Sequence, residues 1–314
     1  MAGSYKFGWW GVAGVSDDPC EASEAYLGDR GVWAGFGALN VIEYSNITSA
    51  GNTVDFGDLT STRYQHGGAS NGSRGVFVGG QDGNSNKFAS IDAINIASTG
   101  NATDWGDITA ATTEAVTVSN GKRAVVGGGA TSAGVVNTIE YFCMSVADET
   151  AVDFGDLTVA RDSSAGCQSA TRGFWGGGTS NSDVIDYISF DTIGNATDFG
   201  NLIGGRRELA SCSNATRGLW GGGTTGGAGR QSAIDYITMA SAADATDFGD
   251  LTLARERIGG CANTSRALFA GGHASGVGDV NTIDYVTIAS TGNASDFGDL
   301  LAIKAGGLGV SGST

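Results

Sequence analysis

The string Asp-Phe-Gly-Asp-Leu, or a close variant, begins six times, at Asp55, Asp104, Asp153, Asp198, Asp247 and Asp296, at spacings of 49, 49, 45, 49 and 49 residues. Units this alike bury their apolar faces by packing on one another, so the repeat constrains the architecture more than any other feature. Two further landmarks keep the same rhythm. An arginine leads an apolar pair into glycines at Arg30, Arg74, Arg123, Arg172, Arg217 and Arg266. An alternating Ile-Asp-Tyr-Ile segment centres on Tyr44, Ala93, Tyr141, Tyr187, Tyr236 and Tyr285. Each unit holds four short stretches of strand character, such as Gly259 to Asn263, Ala267 to Gly272, Ile283 to Ala289 and the Asp-Phe-Gly-Asp segment. Period-2 patterning, β-branched and aromatic residues and glycine or asparagine turns favour strands, and no segment sustains a 3.6 period. Four strands in 45 to 49 residues make a propeller blade. The expected fold is all-β, a six-bladed propeller of four-stranded blades.

A glycine pair after an apolar strand is followed by a tyrosine, then an aromatic twelve residues on (Tyr187 to Phe199, Tyr236 to Phe248, Tyr285 to Phe297), then a leucine and a basic residue such as Arg161, Arg206 or Arg255. This pattern resembles the kelch repeat over residues 30 to 304. It departs from kelch in having Phe where Trp is usual, except at Trp105, and Ala93 in place of Tyr. The recurring phrase Gly-Asn-Ala-Thr-Asp-Phe-Gly-Asp-Leu is also similar to glycine-rich repeat proteins of marine tailed bacteriophages, generally taken to be virion structural proteins. That resemblance implies location in a phage particle made in the host cytoplasm. It also implies other virion proteins as partners, and a host-surface glycan or protein as the thing recognised.

A propeller must fasten its last blade to its first or leave edge strands exposed. Aligning Asp299 with Asp250 stops the chain one residue before a further landmark arginine would fall. Gly307 to Ser313 is therefore expected to supply the innermost strand of the blade that begins at Arg30, closing the ring with a C-terminal strand. Glu21 to Asp29 is the alternative source of that strand. The chain accordingly divides into residues 1–29, outside the repeat, and a propeller over 30–314. Residues 1–29 carry Phe7, Trp9 and Trp10, which read either as a plug packed on the propeller or as an anchoring arm to a larger assembly.

Segment lengths locate the tolerant loops. From landmark arginine to tyrosine position the counts are 14, 19, 18, 15, 19 and 19, whereas onward to the next arginine they are 30, 30, 31, 30 and 30. Variation therefore sits between the second and third strands, in loops that emerge on the same face as the blade-to-blade connections. Asp82, Asn84, Asn86, Lys87, Asn181, Asp183, Arg230, Gln231 and His273 are the candidate recognition residues there.

Catalysis needs convergent groups, and two histidines in different units, His66 and His273, do not make a zinc or copper set. The expectation is a non-enzymatic chain without a cofactor. A sugar-binding or galactose-oxidase-like propeller acting alone is the alternative. Carboxylate pairs such as Asp55 with Asp58 are of a kind that holds calcium, but Asn201 interrupts one pair and arginine recurs in every unit. Turn bonding and pairing with the arginines is the favoured role for Arg30, Arg74, Arg123, Arg172, Arg217 and Arg266 and for the six leading aspartates. Five cysteines without CxxC spacing read as reduced, with Cys167, Cys212 and Cys261 as small buried residues on inner strands. Seven Asn-X-Ser/Thr triplets fall largely in repeated turns and read as turn chemistry.

Composition enters last. A net charge of −16 argues against nucleic-acid phosphate or anionic lipid as a main partner. No basic-then-apolar leader and no run of 18 apolar residues is visible, so the chain reads as soluble, without a signal peptide. Seventeen of the 33 acids belong to the repeat itself, eleven in the Asp-Phe-Gly-Asp pairs and six in the Ile-Asp-Tyr positions.

Overall fold

Each unit becomes one antiparallel blade. In the fifth, for example, the strands from centre to rim are Ala210–Ser213, Arg217–Gly221, Ala233–Thr238 and Thr246–Asp250. The computed structural model describes Cys20 and residues 27–226 and 229–312, and these form a six-bladed β-propeller with no α-helix among the described residues. Phe7, Trp9 and Trp10 lie outside the described residues. The ring closes as the repeat arithmetic requires: Leu308–Gly312 pairs antiparallel with Arg30–Ala34 and is the inner strand of the first blade. Leu308–Gly312 thus holds the position for which Glu21 to Asp29 is the alternative, and residues 21–26 of that alternative lie outside the described residues.

Apolar burial is organised between blades. Six hydrophobic clusters occupy the six seams. The second strands are buried nearly throughout, with Trp33, Trp175 and Trp220 inaccessible. Inner strands carry small residues because six of them converge on the axis. Cys167, Cys212 and Cys261 are buried there, as expected, and burial pushes all three thiols up, so they are inert at neutral pH.

The Asp-Phe-Gly-Asp motif is explained by its neighbours. Its phenylalanine packs edge-on against the tyrosine of the adjacent strand, as in Tyr44 with Phe56 and Tyr236 with Phe248. Its glycine has φ between 138° and 150° in all six copies, and a Cβ there would sit about 2.5 Å from backbone of the next blade's turn, as at Gly57 against Gly100. The next blade covers the outer edge: Gly100 and Ala102 donate to Phe56 and Asp58 carbonyls, and Asp58 N donates to Asn101 Oδ1. Asn52, Asn195 and Asn293 do the same at three other seams. Every rim strand is thereby protected by its neighbour rather than left as an open edge. The asparagines of all seven Asn-X-Ser/Thr triplets accept hydrogen bonds from backbone N–H groups, Asn101, Asn195 and Asn293 across a seam and Asn46, Asn71, Asn214 and Asn263 within their own turns.

The expected pairing of the leading aspartates with the landmark arginines does not occur. Asp55, Asp104, Asp153, Asp198, Asp247 and Asp296 are exposed on the rim strands. Instead Arg30, Arg74, Arg123, Arg172, Arg217 and Arg266 each stack on an aromatic ring 3.7–5.1 Å away and donate to a backbone carbonyl of the next blade. A turn carbonyl and a π face satisfy a guanidinium without the desolvation of a carboxylate. In the one unit where Ala93 supplies no ring, Arg74 rests instead on Trp105, which stands where the other units carry Phe.

Of the acids that recur with the repeat, those that pair with a base are five of the six in the Ile-Asp-Tyr segments. Arg63–Asp92, Arg161–Asp186, Arg206–Asp235 and Arg255–Asp284 are buried at 2.9–3.1 Å, and Lys304 pairs with Glu43. Each links a blade-to-blade connection to the third strand of the blade that follows. At the remaining seam Thr112 stands in the basic position, and Glu140 accepts from the Thr109 N–H.

One cysteine expectation is overturned. Cys20 and Cys143 form a disulfide across 123 residues of sequence. The two thiols are brought together by tertiary packing, which sequence spacing does not encode. Cys143 ends the third strand of its blade, opposite Arg123, so the bond lies on the face of the strand 1–2 turns. Leu27 lines the central channel.

Candidate functional site on the loop face

The glycines that follow each second strand, a pair in five units and Gly35 alone in the first, turn the chain onto the face that also carries the blade-to-blade connections, so variable loops and connections share one surface. On this loop face several candidate residues clasp neighbouring blades. Lys87 Nζ donates to Ala130 O and Thr131 O at 2.8 Å, and Asn181 Nδ2 donates to Thr225 O at 2.7 Å. Arg230 pairs with Glu256 at 2.8 Å, and Gln231 Nε2 donates to Gly229 O. Asp82 is held below its ordinary range by hydrogen bonds from Asn86 and Asn84. Asn84, Asn86 and Asp183 remain exposed, and His273 contacts Asp279 at 2.6 Å. The clasping side chains order the loops, and the exposed ones face outward.

At the centre of the same face lies a feature that reading the repeat by its landmarks missed. Gln65, Glu114, Ser163, Glu208, Arg257 and Gly306 occupy equivalent positions, two residues after the basic residue of each connection or its Thr112 counterpart. All six have positive φ, 54–59° for the first five and 83° for Gly306. Their backbones form a collar: Glu114 N to Gln65 O, Glu208 N to Ser163 O, Arg257 N to Glu208 O, Gly306 N to Arg257 O and Gln65 N to Gly306 O, at 2.7–3.2 Å. At the remaining seam Ser163 Oγ donates to Glu114 Oε2 at 2.6 Å. Gln65 Nε2 donates to Glu114 Oε1, and Arg257 Nε donates to Glu208 Oε2 at 3.1 Å. Burial pushes the Glu114 carboxyl up, opposed by the Ser163 hydroxyl and reinforced by Asp162 and Glu208. No sequence signal singles the position out: it is polar in five units, but its neighbours on both sides vary from unit to unit as freely as it does.

His66, beside the collar, is buried between the first two blades with ring nitrogens 3.1 and 3.2 Å from Gly67 O and Ala34 O. Burial lowers its pKa to about 4. Between about 4 and its unfolded value near 6.5 the unfolded chain takes up the proton that the folded chain refuses. His66 therefore withdraws stability as pH falls from 6.5 to 4, by about 3 kcal/mol at ~1.4 kcal/mol per unit. The raised carboxyls of Glu114 and Asp235 act in the opposite sense. His66→Gln is accordingly expected to flatten the urea-midpoint profile across this window, and superimposable profiles would refute the assignment.

Among the described residues no group of three or more His, Cys, Asp or Glu side chains is placed to hold a metal ion, and no helix is long and apolar enough to cross a membrane. The architecture defines a six-bladed propeller whose loops and channel mouth share one face. Compared with known proteins, the chain matches no protein-family model and no curated protein.

Proposed function

We propose that this protein is a non-catalytic, kelch-like binding component of a phage particle, on a tail fibre or the capsid surface, that presents its loop face for host attachment or shielding. What supports the reading is the division of labour between faces. Length variation, exposed polar side chains and the channel collar share one face, while Cys20 is fastened through Cys143 to the other. A chain tethered from one side leaves the other free for recognition. The phage setting comes from the resemblance of the repeated phrases. The disulfide suits it, because such bonds persist in oxidising surroundings, which a released particle meets.

The test keeps Lys87, Asn181 and Arg230, which tie blades together, and changes outward residues. Asn84→Lys, Asp183→Lys and His273→Glu together are expected to lower attachment of particles to host cells at least tenfold, with Tm and incorporation into particles unchanged. Undiminished attachment would rule the loop face out.

A further inference from the structure

Five collar residues keep a polar side chain in the left-handed backbone region, which costs an L-residue about 1 kcal/mol or more relative to glycine. Glycine is this chain's ordinary answer to that conformation, as at Gly79, Gly128, Gly177, Gly222 and Gly271, and the sixth collar position is Gly306. Side chains retained against local strain point to a task. These five stand around the mouth of the central channel, above a floor made by Val116, Leu209, Ile258 and Leu308.

The recess holds about 110 Å³, somewhat less than the ~150 Å³ apolar cavity that accepts a benzene ring. It admits a substituent rather than a whole ring. Its rim offers both kinds of polar partner. Each Glu114 oxygen already takes one neutral donor and keeps a second lone pair. Arg257 spends Nε and Nη2 on Glu208, leaving Nη1 to donate. Ser164 Oγ, buried at the same mouth, has no hydrogen-bond partner among the described residues. A free anion would meet Glu114 and Glu208, and a free cation would meet Arg257. A neutral group with an apolar tip, one donor and one acceptor finds a complement for each part.

We propose that the channel mouth is a subsite for the acetamido group of an N-acetylated sugar. The methyl rests on Val116, Leu209, Ile258 and Leu308, the N–H donates to Glu114, and the carbonyl accepts from Arg257 or Ser164. This deepens the attachment reading and rests on it for the source of the sugar.

The experiment titrates the purified full chain with tri-N-acetylchitotriose, with its fully deacetylated counterpart and with an Nε-acetyl-lysine peptide, by calorimetry. The acetylated sugar is expected to bind at least tenfold tighter than either of the others. Glu114→Gly removes the side chain and the strain together, so Tm should hold or rise while affinity falls at least tenfold. Glu114→Gln, which keeps the shape, should weaken binding several-fold. Equal binding of the deacetylated sugar overturns the proposal, and equal binding of the peptide moves the site to acetylated protein. If Glu114→Gly lowers Tm, Glu114→Gln decides, and unchanged affinity in it makes the collar purely structural. Loss of attachment in the loop variants, with no sugar bound by the purified chain, would sink this subsite and leave the attachment reading standing.

Discussion

A chain ending at Gly306 is expected to lose cooperative folding. The missing strand, Leu308–Gly312, pairs along Arg30–Ala34, and its Ser311 bonds to blades on both sides, donating to Ala262 O and accepting from Ser70 Oγ. Backbone bonds alone account for on the order of 5 kcal/mol at ~1 kcal/mol each, comparable to the whole stability of many domains. Removal also exposes Val32, Trp33 and Ala34, which are inaccessible in the closed ring, along an open edge. The expected result is aggregation, or a broad thermal transition far below that of the full chain. A permuted chain that begins with Leu308–Gly312 and runs into Arg30 should recover the Tm of an unpermuted chain over residues 30–314, which lacks the Cys20–Cys143 disulfide to the same degree, because the strand's place matters and its position in the sequence does not. A truncated chain with an unshifted, sharp transition would show that the ring is held shut elsewhere.

The second large effect is expected from Arg255→Ala. Arg255 is fully buried and donates to Thr282 O, Phe269 O and Asp284 Oδ2 at 2.9–3.0 Å. Asp284 also accepts from the N–H and hydroxyl of Thr252. Burial alone lowers the guanidinium's pKa, and the carboxylate opposes that shift. Removing the cation leaves a carboxylate with no escape to water, at a cost of about 3–5 kcal/mol. Replacing both partners with apolar residues of similar volume, Arg255→Met with Asp284→Leu, should restore most of that loss, because desolvation and attraction disappear together. Denaturant midpoints measured with unchanged m-values check both. A single-variant loss below about 1 kcal/mol would remove the pair from the account of what locks adjacent blades. The Thr112–Glu140 seam shows that the ring tolerates one such lock without its cation, since Glu140 there is only partly buried.

The two effects separate what a repeat announces from what it hides. Blade number, strand number, strand order and closure by the C-terminal strand followed from spacing and alternation alone. Period and length variation are properties of the chain itself, and only one architecture absorbs four strands per unit sixfold. The face carrying the variable loops followed for the same reason, since strand alternation assigns every connection to one end or the other. The roles of the conserved-looking letters within the repeat did not follow. Arg172 lies close in sequence to both the Asp153 and the Asp198 motifs, yet its partners are the Tyr187 ring and the carbonyl of Met239 in the next blade. Which acid meets which base depends on seams between units, and a repeat is silent about its seams because every unit presents the same two sides.

The collar and the disulfide were hidden more deeply. Gln65, Glu114, Ser163, Glu208 and Arg257 are unremarkable in sequence, and each becomes distinctive only when ring closure brings six connections around one axis and forces them into the left-handed region. Cys20 lies outside the repeat, so no internal comparison could assign it to Cys143. The sequence by itself determined the blade and how many times it recurs, because local patterning decides strands and turns. Only the tertiary structure decided the pairings across seams, the disulfide and the groups that meet at the channel mouth, because those contacts join residues that closure makes neighbours and sequence does not.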